Sequence, residues 1–229
     1  MSASGGKSVT ITGENGIRVS GILTMPPDAR ACYVLAHGAG AGMIHPFMAA
    51  VAEGLAARGI AALRYQFPYV ERGSKRPDSP AIAHATVRAA VEAATLLHPK
   101  LPLIAGGKSF GGRMTSQAQA SAPLPCMGLA FLGFPLHPVG KPSSDRAKHL
   151  FEIKIPMLFL QGTRDTLADL GELRPVCKKL GSRATLKLFD GADHSFHVPA
   201  RSGRKDAEVL GEILDTLAAW IGEVTAAGK

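Results

Sequence analysis

The sequence predicts an α/β protein with a doubly wound, mostly parallel sheet. Six short runs are almost continuously apolar, which is typical of parallel strands covered by helices on both faces. Longer amphipathic segments separate these runs, and two β-rich runs near the start are joined by a glycine-containing turn. An antiparallel start followed by repeated strand and helix units is characteristic of this fold class.

The elements follow in order along the chain. A hairpin is predicted over residues 9–12 and 18–24, with Gly13, Asn15 and Gly16 in its turn. The six apolar strands are predicted at residues 32–36, 60–64, 103–105, 127–132, 157–160 and 185–189.

Helices are predicted between these strands. Phe47, Val51 and Leu55 recur every four positions before Gly59 ends the segment. A second helix begins at Ser79-Pro80 and is closed by the proline at position 99. The last two helices carry apolar stripes at Leu173, Val176, Cys177 and Leu180, and at Val209, Ile213, Leu217, Trp220 and Val224.

Length and composition indicate one domain over residues 8–229, preceded by a flexible N-terminus at residues 1–7. A chain of 229 residues with 46% hydrophobic composition can cover one sheet on both faces. No long Gly/Ser tract, charge block or repeat divides it.

The net charge of +8 does not by itself indicate a nucleic-acid partner. Lysine and arginine are scattered along the chain, and no aromatic-rich strand carries basic neighbours. Three cysteines without metal-type spacing favour buried free thiols. No signal-peptide core or bilayer-length apolar run is present, so we expect a cytoplasmic protein without a membrane partner. Its oligomeric state is left open.

The segment Gly107-Lys108-Ser109-Phe110-Gly111 has the G-x-S-x-G pattern of a nucleophile elbow. A predicted strand precedes it and a predicted helix follows, as a sharply turned nucleophile requires. A phosphate-binding loop is the alternative for Gly-Lys-Ser, but that motif needs a glycine where this chain has proline 102. The segment therefore makes Ser109 the candidate nucleophile.

Asp165 and His194 are the candidate acid and base. They follow the serine in the order serine, acid, histidine, and each comes shortly after an apolar strand. Parallel strands place such loops at one rim of the sheet, where the imidazole can take the serine proton and the carboxylate can orient the imidazole. The rivals are Asp169 and Asp193 for the acid and His197 for the base.

An oxyanion hole is expected from the amide of Phe110 together with that of Ala39 or Gly40, in the glycine-rich loop at residues 37–42. A dinucleotide-binding loop is the alternative there, but Met43 occupies the position of its third glycine. The histidines of this region lack carboxylate or cysteine neighbours at ligand spacing, so no metal and no cofactor are expected.

The sequence says less about the substrate than about the candidate catalytic residues. Four cations beside the predicted site loops point either to a carboxylate- or phosphate-bearing acyl substrate or to ordinary surface pairing: Lys108, Arg64, Arg113 and Arg164. Four aromatic residues could wall an acyl pocket or pack in the core: Tyr65, Phe67, Tyr69 and Phe134. We take Lys108, Arg64, Tyr65 and Phe134 as the candidate substrate-binding residues. The proline-rich segment 134–155 is too short for a large cap domain.

Six segments resemble the α/β-hydrolases of the dienelactone-hydrolase-like group, and most closely the bacterial branch related to testis-expressed protein thirty. They are His-Gly-Ala-Gly-Ala-Gly at 37–42, Arg-Tyr-Gln-Phe-Pro-Tyr at 64–69, Gly-Gly-Lys-Ser-Phe-Gly-Gly-Arg at 106–113, Phe-Pro-Leu-His-Pro at 134–138, Gln-Gly-Thr-Arg-Asp at 161–165 and Gly-Ala-Asp-His-Ser-Phe at 191–196.

The resemblance covers nearly the whole chain and implies an eight-stranded sheet with a triad of Ser109, Asp165 and His194. One departure is that dienelactone hydrolases use a cysteine nucleophile. We therefore predict a serine hydrolase acting on small esters or thioesters through an acyl-serine intermediate. The alternatives are a catalytically silent binding or scaffold protein of the same fold, and an acyl transferase that uses the same triad.

Overall fold

The computed structural model describes residues 6–227 and contains one eight-stranded sheet. Its strands are β1 (Lys7–Thr12), β2 (Arg18–Thr24), β3 (Ala31–Ala36), β4 (Ile60–Tyr65), β5 (Leu103–Lys108), β6 (Gly128–Leu132), β7 (Met157–Gly162) and β8 (Ala184–Phe189). The order across the sheet is β1-β2-β4-β3-β5-β6-β7-β8. Pairs β1/β2 and β2/β4 are antiparallel, and the remaining pairs are parallel.

The fold class predicted from the sequence is confirmed. Strands β3, β4 and β7 are buried at every position, which explains why they appear in the sequence as unbroken apolar runs. The helices are α1 (Pro46–Ala56), α2 (Pro68–Glu71), α3 (Pro80–Leu97), α4 (Phe110–Ser121), α5 (Leu170–Leu180) and α6 (Asp206–Ala227). Helices α1 and α6 pack on one face of the sheet, and α3, α4 and α5 pack on the other.

The predicted end of β5 is wrong. The strand continues past residue 105 through Gly106 and Gly107 to Lys108. A Cβ at Gly106 would lie 1.9 Å from the carbonyl oxygen of Ala130, and one at Gly107 would lie 2.2 Å from that of Ala36. The two glycines are therefore part of the strand because the neighbouring strands leave no room for a side chain.

Lys7, the last residue of the predicted flexible N-terminus, belongs to β1 and pairs with Leu23. The rest of that prediction concerns residues 1–5, which lie outside the described residues. All three cysteines are free, Cys32 and Cys177 are buried, and Cys126 is half-buried.

The segment between β6 and β7 contains one 3-10 helix, Asp145–Glu152, and no large cap domain. The rim of the sheet above β5 is thus not covered by an inserted domain. Among residues 6–227, no helix combines the length and the apolar composition needed to cross a bilayer.

Candidate active site

Three loops at the carboxyl rim of the sheet bring the predicted residues together. Ser109 follows β5 directly, Asp165 comes three residues after β7, and His194 lies in the loop after β8. These strands are parallel, so their carboxyl ends share one edge. Residues separated by up to 85 positions therefore come into contact.

Two hydrogen bonds connect the three side chains in series. Nε2 of His194 lies 2.8 Å from Oγ of Ser109, and Nδ1 of His194 lies 2.6 Å from Oδ2 of Asp165. The Asp165 side chain is inaccessible to solvent, whereas that of His194 is 21% exposed. The imidazole can thus accept the serine proton at one nitrogen while the carboxylate fixes its tautomer at the other.

Ser109 lies at a sharp turn between β5 and α4. Its φ of 50° is unfavourable for a residue with a side chain, and strain of this kind is held only by surrounding structure. Close packing on both sides supplies that structure, since a Cβ at Gly111 would lie 2.5 Å from the carbonyl oxygen of His37. The backbone amide of Ser109 donates to the carbonyl of Leu132 at 3.2 Å. The turn projects the serine at the amino end of α4.

The Asp165 carboxylate receives two further hydrogen bonds. Nε2 of Gln161 donates to Oδ2 at 2.5 Å, and the amide of Leu167 donates to Oδ1 at 2.8 Å. Gln161 is itself fully buried, and its Oε1 accepts from the amide of Phe134 at 2.9 Å. Sequence analysis did not assign a role to Gln161. The signal was a carboxamide at the end of an apolar strand, four residues before the acid.

The rival residues have other partners. Asp169 caps α5 by accepting from the amide of Gly171 at 2.8 Å. Asp193 accepts from the amides of Ser195 and His197 at 2.7 and 2.9 Å, and so shapes the turn beside His194. Nδ1 of the exposed His197 lies 2.8 Å from Oδ2 of Asp206, and this contact raises the pKa of His197.

The predicted oxyanion donors differ in their surroundings. Phe110 supplies the first amide of α4, and Ala39 lines the same cavity as Ser109. The amide of Gly40 donates to Oη of Tyr69 at 3.3 Å, whereas the Ala39 amide has no protein acceptor within residues 6–227. Of the two alternatives left by the sequence, the structure favours Ala39.

His37 holds the start of the glycine-rich loop in place. Nδ1 lies 2.8 Å from the carbonyl oxygen of Gly38, and Nε2 accepts from the amide of Phe67 at 3.1 Å. Because Nε2 accepts, the proton is on Nδ1. Burial lowers the pKa of His37, which favours this neutral form. Both ring nitrogens are therefore engaged by the backbone, in agreement with a structural role.

A cavity of about 440 Å³ lies beside Ser109. Its walls are mainly apolar, and it is roomy enough for a small organic group. It is lined by Gly38, Ala39, Ala41, His45, Phe47, Met48, Lys108, Ser109, Leu167, His194 and Ser195.

The sequence model of a family described as "Alpha/beta hydrolase domain" matches residues 29–222. The chain belongs to this family. Solved structures agree on the fold. The α/β-hydrolase domain aligns with a serine hydrolase without a lid from Xanthomonas campestris at a TM-score of 0.72 and 21% identity, covering 93% of this chain and 94% of that one. It aligns with a dienelactone hydrolase from Anabaena variabilis at a TM-score of 0.75 and 19% identity, covering 95% and 96%.

Three of the four candidate substrate-binding residues of this α/β-hydrolase domain do not line the cavity. Tyr65 and Phe134 are 0% and 1% exposed and belong to the core. Arg64 is buried under the loop before α1, where its guanidinium donates to the carbonyl of Met43 at 3.0 Å. These three predictions are wrong because the side chains at these positions point into the protein: Arg64 and Tyr65 lie in β4, and Phe134 lies in the loop after β6. Lys108 does line the cavity.

The other residues that the sequence placed near the substrate also lie elsewhere. Phe67 and Tyr69 are fully buried, so both pack in the core. Arg113 lies 6.0 Å from the Phe110 ring centroid, and Arg164 is exposed. Neither arginine lines the cavity.

A second serine–histidine pair joins α4 of the α/β-hydrolase domain to the 3-10 helix Asp145–Glu152. Oγ of Ser116 is 2.8 Å from Nε2 of His149 and donates to the carbonyl of Arg113 at 2.9 Å. No carboxylate hydrogen-bonds to this pair within the described residues, and neither residue lines the cavity. Burial, followed by Arg113 and His84, lowers the pKa of His149 to about 4. This pair lacks the acid and the open space that the Ser109 site has.

Proposed function

We propose that this α/β-hydrolase domain is a serine hydrolase that cleaves carboxylic esters or thioesters of small substrates through an acyl-serine intermediate. The observation that carries the proposal is the series of two hydrogen bonds, 2.8 and 2.6 Å long, from Ser109 through His194 to Asp165 beside an open cavity. No cofactor enters the proposed reaction.

The proposed reaction has two halves. Oγ of Ser109 attacks the substrate carbonyl carbon while Nε2 of His194 takes the hydroxyl proton. The amides of Phe110 and Ala39 donate to the oxyanion of the tetrahedral intermediate. When this collapses, the alcohol or thiol leaves with the proton from His194, and Ser109 remains acylated. Water then attacks the acyl-serine with the same base, releasing the acid and the free serine.

The cavity supports small, uncharged acyl or leaving groups. Apolar side chains make up most of its wall, including Phe47, Met48 and Leu167. Of the four cations that motivated an anionic substrate, Lys108 alone lines this cavity, and its ammonium already donates to the carbonyl of His194. We therefore expect neutral esters to be hydrolysed faster than anionic esters of matched size.

A chromogenic ester panel that varies acyl length and charge tests the proposal. The parent should hydrolyse short neutral esters, and Ser109→Ala should lose at least about 1,000-fold in kcat. Ser116→Ala is the matched control, since it removes a serine that is also bonded to a histidine but lies off the cavity. Equal loss in both variants, or full activity in Ser109→Ala, would contradict the assignment.

The same panel separates the two alternatives. An acyl transferase would release little free acid until a nucleophilic acceptor other than water is added. A silent scaffold protein would turn over no ester even if Ser109 reacted with an active-site label. Release of free acid at a steady rate in buffer alone supports the hydrolase.

We also propose a cytoplasmic location and membership of the bacterial branch related to testis-expressed protein thirty. Three free thiols support the first, because a reducing compartment keeps cysteines unpaired. The six sequence segments quoted above support the second. Cell fractionation with an antibody against the chain tests the location.

A further inference from the structure

The ammonium of Lys108 is held inside the protein behind the catalytic histidine. Nζ donates to the backbone carbonyl oxygen of His194 at 2.5 Å and lies 5.5 Å from the centroid of the Phe196 ring. The bond joins the last residue of β5 to the loop after β8, 86 positions away. The ammonium at the end of this flexible side chain is thus held by a hydrogen bond and by the face of the Phe196 ring.

The ammonium lies on the Asp165 side of the imidazole rather than the Ser109 side. A Cβ at Gly133 would be 3.0 Å from Nζ of Lys108 and 3.4 Å from Nδ1 of His194, so both nitrogens lie against the same point of the chain. Nδ1 is the nitrogen that contacts Asp165, whereas Nε2 contacts Ser109. The charge therefore lies behind the reacting atoms, although the aliphatic part of Lys108 lines the cavity beside Gly38.

The hydrogen bond from Lys108 to His194 has no competing ion pair among the described residues. Within residues 6–227 no carboxylate lies within ion-pair distance of Nζ. Burial lowers the pKa of Lys108 to about 8, and the charges of Asp165 and Asp193 oppose that shift. The amine is thus mostly protonated at pH 7. Besides Lys108 and His194, the histidine His45, which caps α1, lines the same cavity.

We propose that Lys108 is a positioning residue for His194: its ammonium ties the histidine backbone to the end of β5, the strand that Ser109 follows directly. This rests on the proposed function, in which the imidazole of His194 must lie within hydrogen-bond distance of Ser109. A misplacement of about 1 Å at a catalytic group can cost roughly 100-fold in rate. The tie therefore acts on the chemical step rather than on substrate binding.

The role differs from substrate binding in which kinetic constant it changes. We expect Lys108→Met to lower kcat for a neutral ester about tenfold with little change in KM, because the histidine backbone loses its tie. A residue that only binds an anionic substrate would instead raise KM for anionic esters and leave kcat for the neutral ester in place.

The experiment measures kcat and KM for a neutral chromogenic ester and for an anionic ester of matched size. The variants are Lys108→Met and Lys108→Gln, which keeps a donor without the charge, so Lys108→Gln decides if Lys108→Met does not fold. Lys187→Met, which removes an exposed charge from β8, is the matched control.

The proposal holds if both Lys108 variants lower kcat for the neutral ester with little change in its KM, and Lys187→Met changes neither constant. It is overturned if kcat for the neutral ester equals that of the parent, or if only the KM of the anionic ester changes. Absence of ester hydrolysis by the parent would instead contradict the proposed function itself.

Discussion

The carboxamide of Gln161 and the imidazole of His194 donate to the same carboxylate oxygen of Asp165. The Gln161 bond is 2.5 Å long and the His194 bond is 2.6 Å long. Since Oε1 of Gln161 also accepts from the amide of Phe134, the carboxamide cannot rotate without breaking a second bond. The orientation of the Asp165 carboxylate is therefore set by Gln161 of β7 as well as by His194.

We expect Gln161→Met to lower kcat/KM on the order of 10- to 100-fold, because Asp165 loses a partner that fixes its orientation. The variant should also lose about 1–3 kcal/mol of stability, since the Phe134 amide is left buried without an acceptor. Steady-state kinetics and urea unfolding measure the two effects. Gln119→Met is the matched control, because that buried carboxamide accepts from the amide of Leu124 at 2.8 Å. A similar loss of kcat/KM in both variants would sink the prediction.

Tyr69 supports the glycine-rich loop at residues 37–42 through its hydroxyl, which accepts from the amide of Gly40. We expect Tyr69→Phe to lower kcat about tenfold, less than the roughly hundredfold cost of losing an oxyanion donor itself. Tyr33→Phe removes another buried hydroxyl, which donates to the carbonyl of Ala130 at 2.8 Å, and should cost stability without that loss of kcat. Equal kcat for Tyr69→Phe and the parent would show that the hydroxyl does not position the loop.

Ala41 lines the cavity and is half-buried, so a larger side chain there should shorten the acyl group that fits. We expect Ala41→Phe to lower the ratio of kcat/KM for hexanoyl over acetyl esters by about tenfold or more, the scale of a few misfitted methylenes. The ratio is measured on one enzyme preparation, which removes errors in active-site concentration. An unchanged ratio would mean that the acyl group binds elsewhere.

Strands β3 and β5 approach each other so closely at Gly107 that we expect a larger residue there to destabilise the protein. A Cβ there would lie 2.2 Å from the carbonyl oxygen of Ala36, and its φ of 148° disfavours other residues. Gly107→Ala should cost about 3 kcal/mol or more, measured by urea unfolding, with loss of folded protein as the extreme form.

Gly211→Ala is the control for this substitution. It lies in α6 with open space around the Cβ position and should gain about 0.5–1 kcal/mol. Comparable stability of the two variants would contradict the packing argument.

Much of the fold was predictable because strands that are buried on both faces of the sheet appear in the sequence as apolar runs. The hairpin strand at residues 18–24 and the apolar runs of β3 and β4 were found almost to the residue. Gly106 and Gly107 hid the end of β5, since glycine carries no strand preference and the need for it arises from neighbours far along the chain.

The three candidate catalytic residues could be predicted from the sequence, whereas the residues around them could not. Ser109, Asp165 and His194 were chosen from order and strand position, and these three meet in the structure. Tyr65, Phe134 and Arg64 were misassigned because nearness to a rim loop in sequence does not say which way a side chain points. The support from Gln161 depends on its contact with Asp165, four residues further along the chain. A pattern of apolar strands does not show which polar side chains make such contacts.

The most direct test of the central claim is labelling with a fluorophosphonate, followed by mass spectrometry of the modified peptide. The parent should gain one label on Ser109, whereas Ser109→Ala should gain none and His194→Ala should react far more slowly. A label on Ser116, or equal labelling of Ser109→Ala and the parent, would contradict the assignment of Ser109 as the nucleophile.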